Sequence, residues 1–239
     1  MNRLIVTGAA SGIGAATVAR ALSQGFRVAA LDLDIDGIPN HSGLSRYRCD
    51  VANAEQVAQA VQDAVSDWGA APSALVHCAG IYRAGPAEDL DVSDWDLVAS
   101  VNSRGSFLIA QAVGRHMLAA DGGSIVLLSS IAWKRGDQFE PAVHYSASKG
   151  AVVSLTHQLA TEWGPRGIRT NAVAPGVIDT TMTTLTQHPA QAQAFVSALP
   201  LRRLGSADEV AAACMFLIGP DASYINGVVL TVDGGYLAS

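Results

Sequence analysis

With 239 residues, 49% of them apolar and only 15% charged, the chain can bury one large core, which fits a single α/β domain over 1–239. A net charge of −6 and a pI near 5.4, with no stripe of Lys and Arg to neutralise phosphates, argue against nucleic acid as a partner. No apolar run approaches the ~18–20 residues that span a bilayer, no signal-peptide organisation precedes the first strand, and Cys49, Cys78 and Cys214 have neither zinc nor disulfide spacing, which implies a reduced cytoplasm and no metal.

Short apolar runs alternate with helical patterns from end to end. Strands are expected over Leu4–Thr7, Arg27–Leu31, Arg46–Cys49, Ala74–Cys78, Ser124–Ser129, Ile168–Ala174 and Val228–Val232. Most are continuously apolar, as strands covered on both faces are. Between them, Val57, Val61, Val65 and Trp68 form one helical stripe, and Val210, Cys214 and Leu217 form another after a Ser206/Glu209 capping box. The stretch Asp34–Ser45, with Gly37, Pro39, Asn40 and Gly43, predicts an irregular crossover. Strand and helix repeated in this order predict a parallel, doubly wound sheet with helices on both faces.

The first strand–helix turn reads Thr7-Gly8-Ala9-Ala10-Ser11-Gly12-Ile13-Gly14. Gly8 permits the sharp turn, Gly12 lets backbone approach a pyrophosphate, and Gly14 lets the helix pack closely. The helix N-terminus adds amide donors and positive potential. Eighteen positions beyond Gly14, Asp32 ends the second strand, where a carboxylate accepts the adenosine-ribose hydroxyls and repels a 2′-phosphate. No Arg or Lys occupies the turn or Leu33, so NAD is preferred over NADP. Asp50-Val51, after the third strand, suits the adenine amino group and ring; Asp is also a common turn residue, and position alone leaves both readings open.

Tyr145 and Lys149 lie four residues apart on one face of a predicted helix. Ser129-Ser130 ends the fifth expected strand, where ligands of open α/β sheets bind, and Asn102 sits in a helix-like segment, Val101–Gly105. Together with Pro175-Gly176 and Val232-Asp233-Gly234-Gly235, these residues resemble the compact, single-domain branch of the short-chain dehydrogenase/reductase family along essentially the whole chain. The resemblance implies a Rossmann-type fold of seven parallel strands, commonly a homotetramer (or homodimer), and a catalytic tetrad of Asn102, Ser130, Tyr145 and Lys149. It implies cofactor contacts at Gly8, Ser11, Gly12, Ile13, Gly14, Asp32, Asp50, Val51, Ala79, Gly80, Asn102, Tyr145, Lys149, Pro175, Gly176, Ile178 and Thr180.

By the same resemblance Tyr145 is the acid/base, and Lys149 lowers its pKa and holds the nicotinamide ribose. Ser130 bonds the substrate oxygen, and Asn102 anchors a water that relays protons to Lys149. The expected activity is NAD-dependent interconversion of a secondary alcohol, sugar or polyol hydroxyl and a ketone. A non-redox epimerase or lyase on this scaffold, or a silent NAD-binding regulator, are the alternatives.

Two departures stand out. His77-Cys78-Ala79-Gly80 replaces the family's usual Asn-Asn-Ala-Gly, and the gap from Ser130 to Tyr145 is about two residues longer than usual. The longer segment, Trp133–Glu140, holds Lys134 and Arg135; these suit an anionic substrate or simply a solvated loop. Residues 179–204, polar and broken by Pro189 and Pro200, read as a substrate lid whose Met182, Leu185, Phe195 and Leu199 give a partly apolar pocket wall.

Overall fold

The structure, a computed structural model, describes residues 2–137, 140–183 and 189–238. Its centre is a sheet of β1 (Arg3–Thr7), β2 (Arg27–Asp32), β3 (Leu44–Arg48), β4 (Ala74–His77), β5 (Gly123–Leu128), β6 (Ile168–Pro175) and β9 (Val229–Val232), in the order β3-β2-β1-β4-β5-β6-β9. Every pairing in it is parallel. Six of these strands lie within one residue of expectation. The third begins at Leu44 rather than Arg46, because it is a polar edge strand whose limits follow its register with β2, from Val28↔Leu44 to Asp32↔Arg48.

A second sheet was not foreseen. β7 (Ile178–Asp179) pairs with β8 (Gly205–Ser206), and strands of two residues are too short to show any periodicity. The pair ties the two ends of the expected lid segment together. Within that segment α6 (Pro189–Ala198) forms; Leu185 lies outside the described residues.

Helices cover both faces. α2 (Ala54–Trp68), α4 (Gly105–Leu118) and α5 (Val143–Trp163) bury Val57, Val61, Ile109, Met117, Val152 and Trp163 against one face. α1 (Gly12–Ser23) and α7 (Ala207–Ile218) bury Val18, Val210, Cys214 and Leu217 against the other. The capping box forms: Ser206 Oγ accepts from Glu209 N (3.2 Å) while Glu209 accepts from Ser206 N (2.9 Å). The stretch 34–43 contains no helix; Ile38 is its one fully buried apolar side chain. α3 (Val92–Val98) runs through a π-helical turn, Ala99–Arg104, into α4. No described helix is long and apolar enough to cross a membrane.

Because the strands are parallel, their carboxyl ends share one edge, and the strand order reverses between β1 and β4. That is the switch point where ligands of open α/β sheets bind. The turn from β1 into α1 closes there on backbone. Gly8 (φ 64°) leaves room for Ala79 N, which a Cβ would meet at 2.8 Å, and a Cβ on Gly14 would stand 1.9 Å from Gly8 O. Gly14→Ala should therefore cost at least about 2 kcal/mol in urea unfolding. Gly136→Ala, with nothing near its Cβ, should change stability by less than about 0.5 kcal/mol. Equal effects of the two would show that this contact does not constrain the turn.

Candidate active site

The site is assembled from the ends of β4 and β5, the π-helical turn and the first turns of α5. Asn102 is fully buried in that turn; such wide turns often mark functional positions. Its side chain acts as a clamp: Oδ1 accepts from Ile81 N and Nδ2 donates to Ile81 O, both at 2.9 Å. Nδ2 also donates to Ser148 Oγ (3.0 Å), and Ser148 donates to Tyr145 O (2.7 Å). One amide thus joins the strand end after β4 to α5. Sequence reading overlooked Ser148, whose only signal was its place one turn after Tyr145.

Lys149, on the same face, is 5% exposed. Nζ donates to Leu128 O (2.8 Å) at the end of β5, and Ser129 Oγ donates to Lys149 O (2.9 Å). Burial pulls its pKa down to about 8, so the ammonium stays mostly charged at neutral pH. Nζ lies 5.6 Å from the centroid of the Tyr145 ring. Burial raises the pKa of Tyr145, and a hydrogen bond with the Ser130 side chain opposes that rise. Ser130 itself caps the short 3₁₀ turn Ile131–Trp133, accepting from Ala132 N at 3.2 Å. A Cβ on Gly80 would meet Asn102 Oδ1 at 3.2 Å and Lys149 Nζ at 3.4 Å. Ser130, Tyr145, Lys149, Asn102 and Gly80 therefore form one cluster.

The remaining expected residues line the same edge. Ser11 stands at the N-cap of α1 in extended conformation and makes no side-chain cap, which leaves the first-turn amides to other partners. Gly12 faces Thr180, whose Cγ2 lies 3.5 Å from where a Cβ would be, while Ile13 is part-buried beside it. Asp32 Oδ2 accepts from Ala10 N (2.9 Å) and Oδ1 from Asp34 N (3.1 Å), so it braces the glycine turn. Asp50 accepts from Ala52 N in an Asx turn, and Val51 is buried against Gly105. Pro175 ends β6, Gly176 N donates to Val232 O (2.9 Å), and Ile178 is buried in β7.

The family described as enoyl-(acyl carrier protein) reductase matches residues 8–237. D-threitol dehydrogenase of Mycolicibacterium smegmatis is 41% identical over 97% of this chain and 91% of its own length. Galactitol 2-dehydrogenase (L-tagatose-forming) of Cereibacter sphaeroides is 39% identical over 97% and 93%. Ligand-free aldohexose dehydrogenase of Thermoplasma acidophilum superposes with a TM-score of 0.90 at 30% identity, covering 100% and 94%. The chain belongs to the short-chain dehydrogenase/reductase family. It is an oxidoreductase of CH–OH groups with a nicotinamide cofactor.

Against that family, the two departures now have structures. Arg135 turns toward the C-terminal turn: its guanidinium lies 4.4 Å from the Tyr236 ring centroid and donates to Tyr236 O (3.4 Å), while Lys134 is exposed. His77 is buried, with Nδ1 2.6 Å from Thr7 Oγ1, which also accepts from Ala79 N (3.2 Å). This imidazole thus helps hold the turn beside Gly8. Its Nε2 has no partner among the described residues.

Burial, and then the charge of Lys149, press the pKa of His77 down to about 3. The unfolded chain, near 6.5, binds that proton first, so stability falls as pH drops from 6.5 toward 3. His77→Asn removes the titration. Relative to the variant, the wild type should lose on the order of 1.4 kcal/mol per pH unit across that window. Parallel curves of unfolding free energy against pH for the two proteins would contradict this.

Proposed function

We propose that the protein is an NAD-dependent dehydrogenase that interconverts a secondary alcohol, within a sugar- or polyol-type substrate, and a ketone. The observation that carries this reading is the Tyr145 phenol, set beside the Ser130 side chain and the buried ammonium of Lys149. The positive charge of Lys149 favours the phenolate and works against the burial that raises the Tyr145 pKa. Tyr145 then accepts the substrate hydroxyl proton in oxidation and returns it in reduction. Ser130 bonds the reacting oxygen, Lys149 holds the nicotinamide ribose, and Asn102 anchors a relay water.

The residues present fit the dinucleotide. The uncapped first turn of α1, behind Gly8, Ser11, Gly12, Ile13 and Gly14, suits the pyrophosphate. Asp32 suits the adenosine ribose, Asp50 and Val51 the adenine, and Ala79 and Gly80 a close backbone approach. Pro175, Gly176, Ile178 and Thr180 suit the carboxamide end. When bound, NAD supplies the hydride acceptor. Asp32 also favours NAD over NADP, since its carboxylate would repel a 2′-phosphate.

The chain 1–239 acts in this reading as one NAD-binding domain with residues 179–204 as its lid. Exposed apolar side chains in two stretches of the chain suit a homotetramer (or homodimer). Val92, Trp95, Leu97 and Phe107 lie in 92–107, and Phe216, Tyr224 and Val228 in 216–228. Free thiols at Cys49, Cys78 and Cys214 suit a cytoplasmic setting.

A panel of secondary alcohols and polyols with NAD, followed as NADH absorbance, should give turnover. Tyr145→Phe should lower kcat at least about 100-fold; a variant with full turnover would overturn the mechanism. NAD should exceed NADP in kcat/KM by at least tenfold, and Asp32→Ala should narrow that ratio. Equal values in the wild type would remove the cofactor preference.

A further inference from the structure

The aromatic ring that follows the last glycine pair touches two segments that border the site from different directions. After β9, Asp233 fastens the short turn into Tyr236–Ala238: its Oδ1 accepts from Gly235 N (2.9 Å) and its Oδ2 from Leu237 N (2.8 Å). The half-buried Tyr236 ring is held there and meets two side chains. The Arg135 guanidinium lies 4.4 Å from its centroid, and the Phe195 ring of α6 lies 5.4 Å away with planes at 42°. Arg135 also donates to Tyr236 O at 3.4 Å.

Each neighbour leads back to the reacting centre. Arg135 N donates to Ile131 O (3.2 Å), in the short turn that Ser130 caps, so Arg135 is anchored one turn beyond the catalytic serine. Phe195 is the largest side chain of α6, a ten-residue helix otherwise made mostly of Ala, Gln and Ser. So short a helix has little stability of its own and depends on what it packs against. The segment that carries it starts beside Thr180, which faces Gly12, and its far end is tied to the same C-terminal turn. There Leu201 N donates to Gly234 O (3.2 Å), and a Cβ on Gly235 would stand 3.0 Å from Pro200 Cγ.

We propose that Tyr236 is a positioning residue that couples α6 to the Ser130 turn, with Arg135 and Phe195 sharing its ring, so that Arg135 sets how firmly α6 closes the substrate side of the site. Its effect on turnover rests on the dehydrogenase reading above. The longer loop then serves to hold a wall of the pocket rather than to bind an anion. A cation over a ring and a tilted ring pair each shift an equilibrium about two- to tenfold, enough to change how often a short helix opens.

The test follows amide hydrogen exchange of α6 in the unliganded protein, for wild type, Arg135→Leu, Arg135→Lys, Tyr236→Ala and the double variant Arg135→Leu/Tyr236→Ala. Exchange should quicken about threefold in Arg135→Leu and about tenfold in Tyr236→Ala. Arg135→Lys, which keeps a cation within reach of the ring, should stay close to wild type. The double variant should match Tyr236→Ala, since Arg135 acts only through that ring. With NAD and the alcohol that wild type turns over best, KM should rise in the same order while kcat stays within about twofold. Arg135 is exposed, so its variants should keep the fold, which thermal unfolding verifies. Unchanged α6 exchange in Arg135→Leu overturns the coupling, as does a further rise in the double variant or an equal rise in α7, which would mean general loosening. A KM that stays constant while α6 exchange quickens overturns the positioning role. No turnover of any alcohol by wild type overturns the dehydrogenase reading, and α6 exchange then decides the coupling by itself.

Discussion

A buried ammonium held by a single carbonyl oxygen is the constraint around which this molecule is organised. Lys149 donates to Leu128 O at the end of β5, with no carboxylate in ion-pair contact among the described residues. Taking such a charge out of water is costly, and burial lowers its pKa to about 8. The charge nevertheless persists at neutral pH, where it favours the phenolate of its helical neighbour Tyr145. A paired carboxylate would have stabilised Lys149 better and cancelled its field at Tyr145.

Keeping that charge in place demands stiffness from the surrounding backbone. Asn102 supplies much of it, closing two hydrogen bonds on Ile81 and one on Ser148, as a strand of backbone would. Gly80 lies between Asn102 and Lys149, where a Cβ would be close to both. Farther along the edge, Thr7 links His77 to Ala79, and Asp32 links the glycine turn to the end of β2. Polar side chains here do the work of loop backbone, because parallel strands end without partners for their last amides and carbonyls.

Much of the architecture was legible because its signals are local. Continuous apolar runs marked the strands of the sheet, and the 3.6-residue stripe marked α2 through Val57, Val61 and Trp68. Polar β3 was misplaced by two residues, and β7 with β8 went unseen, because pairing rather than pattern defines them. The same holds within the site. Tyr145 and Lys149 declare themselves by helical spacing, whereas Ser148 gains its meaning only when Asn102, 46 residues away, reaches it.

By itself, the sequence determined the doubly wound sheet, the edge that carries chemistry, and the residue types able to bind a dinucleotide and transfer a proton. Those properties follow from periodicity and from short motifs whose geometry is set within a few residues. Only the tertiary structure decided how the longer loop is used. Lys134-Arg135 left an anion site and a solvated loop both open, and folding lays Arg135 on Tyr236. Charge along a loop says little about the field at a site, since side chains of similar reach can turn either way and distant partners choose between them.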